Sequence, residues 1–489
     1  MPGLDPGIHV LDECSKEDVD GRNKSGHDEE GRGLPMPIRH RALWALAVIL
    51  SLALLIAPAL WNGFALLHWD SGGYLARWYE GTLEASRAAV YGLILNFGVP
   101  LSFWPVLLLQ AAATLWLVAL TLRAHGLGKR PLLLLGIIAA LSVTTTLPWL
   151  TAILLTDIFA GLGVLSLYLL LLRADALSRV ERLGLIVLIA LSAATHNATL
   201  AVLLGLLAAA AVLCLIDRRR MPLVRLGRGL AALVLGAVLL LSADFIVAKR
   251  LAWTPGGFTF LFGRMLQDGI VKKYLDQHCP DPALQLCAYK DQLPDNIDTW
   301  FWGSDLFDKL GRFAGLGTEM EKIALDSVIE YPALQARTAF VATAEQLIAV
   351  HTGDGVLATL WHTYAIMEKY TPQLVPAMRA ARQQQGEISF TAINEMHYLL
   401  ALIAMALLPV IVGLAWRKTI PAAIGELAAT VTLALLGNAF VCGALSNPND
   451  RYGARMVWLA TFAVGLTLVH HLYELRRRAA AGDISPAPR

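Results

Sequence analysis

Long apolar runs recur along the chain and alternate with short polar segments. A run of about 18 residues or more is long enough to cross the ~30 Å hydrocarbon core of a bilayer as an α-helix. The runs lack the alternation of barrel strands, so helical spans are predicted, about ten in number. They cover residues 43–64, 103–122, 131–147, 150–172, 183–195, 198–215, 230–247, 399–416, 422–444 and 456–472.

Composition agrees with this pattern. Of the 489 residues, 56% are hydrophobic and 16% are charged, whereas a soluble domain carries roughly 25% charged residues. The predicted fold class is therefore an all-α polytopic membrane protein. Its expected parts are an N-terminal tail (1–35), a transmembrane module (36–247), a mainly α-helical loop domain (248–398), C-terminal transmembrane helices (399–475) and a second tail (476–489).

The N-terminal tail combines Gly, Asp, Glu, Lys and Pro without apolar periodicity, which predicts disorder. A basic flank, Arg39 to Arg41, follows Met36 and leads into the first apolar run. Met36 is either the natural first residue, in which case residues 1–35 come from a wrongly assigned start, or part of an ordinary cytoplasmic tail. The first run is too long for a cleavable signal peptide and lacks a small-residue cleavage site.

Basic residues are concentrated in the loops on one side of the predicted spans. These residues are Arg123, Lys129, Arg130, Arg173, Arg179, Arg182, Arg218, Arg219, Arg220, Arg225, Arg228, Arg417, Lys418, Arg476, Arg477 and Arg478. By the positive-inside rule, both termini are expected in the cytoplasm and the 248–398 loop in the periplasm of a bacterial inner-membrane protein. Membrane lipids are then expected contacts. The net charge of +2 identifies no partner, and no nucleic-acid partner is expected.

Two cysteines, Cys279 and Cys287, lie close together in the loop domain. The outer side of the membrane is oxidising, which favours a disulfide. A metal pair is the alternative, but no His/Cys set with ligand spacing accompanies the two cysteines. Cys214 and Cys442 lie in or at the ends of apolar spans, and we interpret them as core residues.

Two acids stand out on the outer side. Asp70 lies in the sequence WDSGGY directly after the first span, where a glycine pair is expected to free the backbone. The stretch 77–91 that follows mixes charged and aromatic residues, which indicates one or two interfacial helices. Asp157 is predicted about two turns into the outer end of the fourth span, where an ionisable group is costly and suggests a functional site. Alternatively, Asp157 is a buried structural acid whose hydrogen bonds come from nearby threonines (144–146 and 156).

Further polar residues are predicted on the same side. His196 and Asn197 mark the tip of a helical hairpin, where a histidine is often only a cap. Arg451 and Tyr452 lie in the outer turn before the last span; an arginine there suggests an anionic partner, with lipid headgroups as the alternative. Arg264 and Asp268 lie in the loop, close to the predicted membrane surface. They either belong to the same functional site as the outer acids or form a structural ion pair. The aromatic run 300–302 either stacks on sugar rings or belongs to the loop's core.

Acids at the membrane boundary, basic residues nearby and a large outer loop suit an enzyme that handles a lipid-borne phosphate. A carboxylate such as Asp70 removes a proton from an acceptor hydroxyl or amine, while basic side chains offset charge on the leaving phosphate. The arrangement resembles the GT-C superfamily of integral-membrane glycosyltransferases, which includes the aminoarabinose transferase of lipid A and the protein O-mannosyltransferases. Asp70 matches the family's acid after the first span, Thr156-Asp157 resembles its second acid, and Arg87 and Tyr91 match an R-x-P-x-Y-like stretch without its proline.

The resemblance implies a polyprenyl-phosphate sugar donor, a lipid, glycan or protein acceptor, and an inverting transfer with Asp70 as the base. Asp70 and Asp157 are thus the predicted catalytic residues. The predicted substrate-binding residues are Arg87, Tyr91, His196, Asn197, Arg264, Arg451 and Tyr452. No cofactor is assigned, and a requirement for a divalent cation stays open.

Two other classes fit parts of the pattern. A transporter or flippase usually shows internal repeats and ionisable groups near the bilayer midplane. No clear repeat is visible here, and the acids cluster towards one surface. A non-enzymatic assembly or sensor protein explains the large loop but gives the acids and the outer arginines no role.

Overall fold

The computed structural model describes residues 38–251, 253 and 257–480. Regular secondary structure in these residues is helical apart from two isolated β-bridges, which confirms the all-α fold class for the described part of the chain. The α-helices are α1 (Ile38–Leu55), α2 (Ala57–Asn62), α3 (Trp69–Glu80), α4 (Ala89–Gly98), α5 (Trp104–Ala124), α6 (Pro131–Thr144), α7 (Leu147–Ala152), α8 (Asp157–Leu172), α9 (Arg179–Thr195), α10 (Asn197–Ile216), α11 (Leu223–Ala248), α12 (Gly257–Gln267), α13 (Ile270–His278), α14 (Ile297–Gly303), α15 (Asp305–Lys309), α16 (Arg312–Glu330), α17 (Pro332–Ile348), α18 (Trp361–Tyr370), α19 (Val375–Arg379), α20 (Thr391–Trp416), α21 (Ala422–Ala439) and α22 (Asp450–Ala480). Short 3₁₀-helices cover Val99–Leu101, Ala174–Ala176, Gln285–Gln292 and Pro372–Leu374, and a π-helix covers Phe440–Ala444.

The chain divides into two units between Ala42 and Leu43, so α1 begins in the first unit and continues in the second. Helices α2 to α22 all belong to the second unit. The predictions for the tail 1–35 and for Met36 lie outside the described residues, as does the part of the second tail after residue 480.

Six of the described helices are long and apolar enough to cross a membrane. They are Trp104–Ala124, Asn197–Ile216, Leu223–Ala248, Thr391–Trp416, Ala422–Ala444 and Asp450–Ala479. Three shorter apolar helices are Ala89–Leu101, Pro131–Thr144 and Asp157–Leu172. These helices support a helical membrane protein, but the larger predicted number of spans is not confirmed.

Helix α8 lies in the interior of the helical body. Its residues from Asp157 to Leu171 are all buried. A helix that is apolar on every face is stable when other helices or lipid surround it. Gly161 allows α22 to come close, because a Cβ atom there would lie 2.7 Å from the indole Nε1 of Trp458.

The first and fourth predicted spans are both interrupted, which corrects the sequence-based prediction. The first becomes α1 and α2, and α2 ends at Gly63 with a φ of 84°. The fourth becomes α7 and α8, with residues 153–156 outside any helix. Asp157 is therefore the first residue of α8 and does not lie two turns inside a continuous span. Apolar periodicity misses both breaks because the residues at each break are as apolar as the helices beside them.

The chain between α11 and α20 has two parts. Helices α12 to α16 surround an apolar core of their own, which contains Trp300. A disulfide joins Cys279 and Cys287 beside this core. Helix α17 lies instead against the end of the π-helix and the start of α22, where the Gln346 side chain donates to and accepts from the backbone of Asn449, each at 2.9 Å.

Candidate functional site

Two chain segments that leave helical structure lie side by side. The segment between α2 and α3 pairs with the segment between α7 and α8 through an isolated parallel bridge. The Leu66 N–H donates to the Ala152 carbonyl, and the Leu154 N–H donates to the Leu66 carbonyl, each at 3.0 Å. Helix α3 begins just after the first segment and α8 just after the second. The pairing therefore brings Asp70, in the first turn of α3, close to Asp157.

Arg451, the second residue of α22, lies between the two carboxylates. Its Nη1 donates to Asp70 Oδ2 at 2.6 Å, and its Nε donates to Asp157 Oδ2 at 2.6 Å. The backbone N–H of Arg451 donates to Asp354 at 3.2 Å. Charge-assisted bonds of 2.6 Å, such as those from the Arg451 guanidinium to the two carboxylates, are among the stronger hydrogen bonds in proteins. One guanidinium group therefore links α3, α8 and α22.

The threonine alternative for Asp157 does not describe the observed contacts. Its carboxylate bonds to Arg451, with Arg455 Nη1 3.9 Å away. The Thr156 hydroxyl is instead 3.3 Å from the Tyr74 hydroxyl. Asp157 is thus part of an ion-pair cluster.

Arg87 holds the other oxygen of Asp70. Its Nη2 donates to Asp70 Oδ1 at 2.6 Å. The preceding residue, Ser86, has a left-handed φ of 63°, which turns the chain between α3 and α4. Gly73 leaves room for Arg87, because a Cβ atom there would lie 3.3 Å from Arg87 Nε. The glycine pair Gly72 and Gly73 is helical in the structure, so it permits close packing and does not free the backbone as predicted.

The two arginines keep Asp70 ionised. Burial raises the pKa of Asp70, but Arg87 and Arg451 outweigh burial and hold that pKa well below its usual range. His68 is buried beside Asp70, where burial and the nearby Arg451 lower the pKa of His68 to about 4. His68 is therefore neutral at pH 7. Its Nδ1 accepts the Asp70 backbone N–H at 3.1 Å and so caps α3.

Helix α18 and the loop before it fix the start of α3. The Thr363 hydroxyl donates to the carbonyl of His68 at 2.8 Å and accepts from the Gly72 N–H at 3.3 Å. A Cβ atom on Gly72 would lie 2.8 Å from Thr363 Cα, so α3 and α18 approach through this glycine. Gly355, with a φ of 72°, lies so close to the imidazole that a Cβ atom there would overlap His68 Nε2.

Gly355→Ala is expected to destabilise the protein more than Gly386→Ala does. Both glycines have a positive φ, 72° and 75°, so both alanines carry a left-handed penalty of roughly 1–2 kcal/mol. A Cβ atom on Gly386 meets only Ala358, at 3.9 Å, whereas one on Gly355 overlaps His68. The overlap adds about 1–3 kcal/mol. Thermal unfolding of the purified variants measures the difference, and equal destabilisation would contradict the close contact with His68.

Arg455 supports Asp157 from one turn further along α22. Its side chain is 1% exposed. Its Nε and Nη2 donate to Asn438 Oδ1 at 3.1 and 2.7 Å. Its Nη1 lies 3.4 Å from His196 Nδ1. His196 is therefore a partner of a buried arginine, at the break between α9 and α10.

A cavity of about 790 Å³ opens beside Asp70. Its lining includes the charged and polar residues His68, Asp70, Glu84, Arg87, Asp298, Asp354, Arg451 and Tyr452. It also includes the aromatic residues Phe260, Phe301, Trp302 and Trp361. The Asp70 side chain is 16% exposed, whereas that of Asp157 is 1% exposed and lies outside the lining. A ligand in this cavity would meet Asp70, but it would meet Asp157 only through Arg451.

Four predicted substrate-binding residues lie outside the cavity lining: Tyr91, His196, Asn197 and Arg264. The Tyr91 hydroxyl is buried and donates to Gln110 at 3.0 Å. Arg264 forms an ion pair with Asp268. The structure thus brings the predicted residues Asp70, Arg87, Arg451 and Tyr452 to the cavity and leaves the other four outside its lining.

Several cavity residues were not singled out by the sequence, among them His68, Asp298, Asp354 and Trp361. His68 gives no local signal, because Ser, Thr, Asp and Asn are the usual helix N-caps. Asp298 and Asp354 lie in the long polar segment, where acids are common. Of the aromatic run 300–302, Trp300 and Phe301 belong to the core of the α12–α16 part, Phe301 also lies at the edge of the cavity lining, and Trp302 lines the cavity.

Among the residues that the structure describes, no group of three or more His, Cys, Asp and Glu side chains could hold a metal ion. The chain matches no protein-family model, and no curated protein or solved structure matches it. The resemblance to GT-C glycosyltransferases therefore stays a prediction.

Proposed function

We propose that the protein is a membrane glycosyltransferase that moves a sugar from a polyprenyl-phosphate donor to an acceptor, with inversion at the anomeric carbon. The observation that carries this proposal is a carboxylate, Asp70, that lines a cavity while bonded to two arginines. The transfer needs a base for the acceptor and cations for the lipid phosphate in one place. The cavity lining contains both, in a protein rich in apolar helices.

Each group at the cavity has a distinct role in the proposed reaction. Asp70 takes the proton of the acceptor hydroxyl or amine as the acceptor atom bonds to the anomeric carbon. The bond between that carbon and the phosphate oxygen breaks, and its electron pair stays on the phosphate. Arg87 and Arg451 stabilise the added negative charge. Asp157 acts through Arg451 and is a positioning residue, because it does not line the cavity.

The aromatic part of the lining suits the sugar. Trp302 and Trp361 are 56% and 72% exposed although both line the cavity. Large aromatic rings that stay accessible offer flat apolar faces, which pack against the C–H face of a pyranose ring. Helices α14 and α18 supply these two residues, so the loop between α11 and α20 takes part in the proposed substrate site.

A transporter or flippase is the second candidate, and one observation favours it. Transporters commonly carry discontinuous helices around their binding sites, and the chain is interrupted between α7 and α8 and between α9 and α10, close to the cluster. Transport leaves the sugar–phosphate bond intact. Formation of a new glycosidic bond therefore separates the two functions.

A transfer assay tests the proposed function. Purified full-length protein in lipid nanodiscs is given a radiolabelled polyprenyl-phosphate sugar together with lipid, glycan and protein fractions extracted from the native membrane. We expect label to move into one fraction and unlabelled polyprenyl phosphate to accumulate in equal amount. Intact donor after prolonged incubation with every fraction, combined with movement of donor across the bilayer, would favour the transporter.

We also propose that the loop between α11 and α20 lies in the periplasm and that both termini are cytoplasmic. The Cys279–Cys287 disulfide supports this side, because such bonds persist in oxidising compartments. After mild reduction of intact cells, a membrane-impermeant maleimide is expected to label these two cysteines without lysis. A variant with serine at both positions is the control and should lose the label. Labelling that requires lysis would place the loop in the cytoplasm.

A further inference from the structure

The arginines at the cavity already bind an anion that belongs to the protein. Asp70 Oδ1 accepts from Arg87 Nη2, and Asp70 Oδ2 accepts from Arg451 Nη1, both at 2.6 Å. A carboxylate presents two oxygens that share one negative charge. The phosphodiester of a polyprenyl-phosphate sugar presents the same two features, two non-bridging oxygens and one charge. The bonds that a donor phosphate needs are thus the bonds that Asp70 makes.

The three partners differ in their freedom to move. Arg451 is held from behind by Asp157 through its Nε at 2.6 Å, and Asp157 is 1% exposed. Arg87 is fixed by the turn at Ser86 and by close packing against Gly73. The Asp70 side chain is 16% exposed, close to the 15% of Arg87, and it borders the cavity without a comparable hold from behind. The side chain that can yield to an entering anion is therefore Asp70.

We propose that Arg87 and Arg451 form the phosphate-binding site of the donor and that Asp70 is its built-in competitor, which the phosphate displaces on binding. This inference rests on the proposed function and adds an order of events to it. Asp70 bonded to both arginines is a poor base, because the two cations hold its pKa low. Asp70 becomes a useful base only after the donor has taken its place.

The same competition accounts for product release. Proton transfer from the acceptor leaves Asp70 neutral, so it no longer competes for the arginines. The phosphate gains a second negative charge as the sugar leaves and binds the arginines more strongly. Once Asp70 loses its proton to water, its carboxylate competes again and helps to expel the polyprenyl phosphate. The cycle balances: one proton leaves the acceptor, passes through Asp70 and ends in solvent.

Binding of a lipid phosphate tests the inference without any transfer. Farnesyl phosphate is titrated into the purified full-length protein in nanodiscs, with farnesol as the uncharged control. Because Asp70→Asn removes the competitor, we expect this variant to bind farnesyl phosphate at least about tenfold more tightly than wild type, which is about 1.4 kcal/mol. Asp70→Ser is a second neutral replacement in case the asparagine variant does not fold.

Asp157→Asn is the matched control. It removes the same charge from the same arginine, but Asp157 lies outside the cavity lining and holds Arg451 in place. We expect it to bind farnesyl phosphate no more tightly than wild type. Equal tightening by both asparagine variants would indicate a long-range charge effect and overturn the competition. Unchanged or weaker binding by the folded Asp70 variants would also overturn it.

The outcomes separate this inference from the proposed function. Sugar transfer by wild type, combined with no tightening in the Asp70 variants, would leave the transferase standing and remove the competitor role. Farnesyl phosphate that binds no better than farnesol in any variant would remove both the phosphate site and the donor class. Tighter binding of farnesyl phosphate, combined with a fall in transfer of about 10²–10⁴-fold in Asp70→Asn, is the result that we expect.

Discussion

Asp70→Asn is expected to lower sugar transfer by about 10²–10⁴-fold, the usual contribution of a general base. The asparagine keeps the size of the side chain and can still accept from an arginine, but it cannot take a proton. Arg87 and Arg451 keep other partners in Ala85 and Asp157. The variant should therefore fold and insert normally. Initial rates with radiolabelled donor, together with size-exclusion profiles in detergent, measure both expectations.

Two variants make this result specific. Asp70→Glu keeps the carboxylate but moves it by one methylene, so we expect a rate between those of wild type and Asp70→Asn. Asp276→Asn removes an exposed acid that pairs with Lys290, away from the cavity. Its rate should stay within about threefold of wild type, as surface changes usually do. A folded Asp70→Asn protein with wild-type rate would exclude Asp70 as the base.

The helices could be predicted where a long, uninterrupted apolar run forms a single helix. The predicted span 103–122 corresponds to α5, Trp104–Ala124, and the predicted start at residue 422 is the start of α21. The breaks in the first and fourth spans could not be predicted. Ile56, at the break in the first span, and residues 153–155, at the break in the fourth, are as apolar as their helical neighbours. The N–H of Leu154 is satisfied by the carbonyl of Leu66, which lies in a distant segment after α2. No local pattern records a partner so far away in the chain.

The candidate site could be predicted as separate residues and not as a cluster. Asp70, Asp157 and Arg451 each stand out because a charge beside an apolar run is costly. That Arg451 bonds both acids depends on how α3, α8 and α22 pack, which the sequence does not display. His68 escapes prediction for another reason. Its side chain caps α3, a position that histidine rarely fills, and its burial involves Gly355 in a distant loop without a recognisable motif.

The pairing of each buried acid with an arginine also explains how a cluster of charges is stable in so apolar a protein. A buried ion pair is stable only when each charge keeps a partner and its remaining hydrogen-bonding groups are satisfied. Asp157 has Arg451 and Arg455, and Arg455 also bonds to Asn438. The cluster is thus a single structural unit, in which Asp70 and Arg451 border the cavity and Asp157 and Arg455 lie outside its lining. Removal of its central cation should affect both stability and chemistry.

Arg451→Gln is expected to destabilise the protein by about 3–5 kcal/mol, because Asp157 loses its closest partner while it stays buried. Sugar transfer should fall by about 10²–10³-fold in addition, since one of the two cations for the phosphate is gone. Thermal unfolding in nanodiscs measures the first effect. Initial rates, measured well below the unfolding temperature of the variant, measure the second.

The double variant Arg451→Gln/Asp157→Asn separates the two effects. Neutralising Asp157 removes the unpaired buried charge, so we expect the double variant to regain most of the lost stability. It should regain none of the lost transfer, because the phosphate still lacks Arg451. Such non-additive stability is the signature of two residues in direct contact. Recovery of transfer along with stability would mean that Arg451 acts only through the fold, and the phosphate site would then reduce to Arg87 alone.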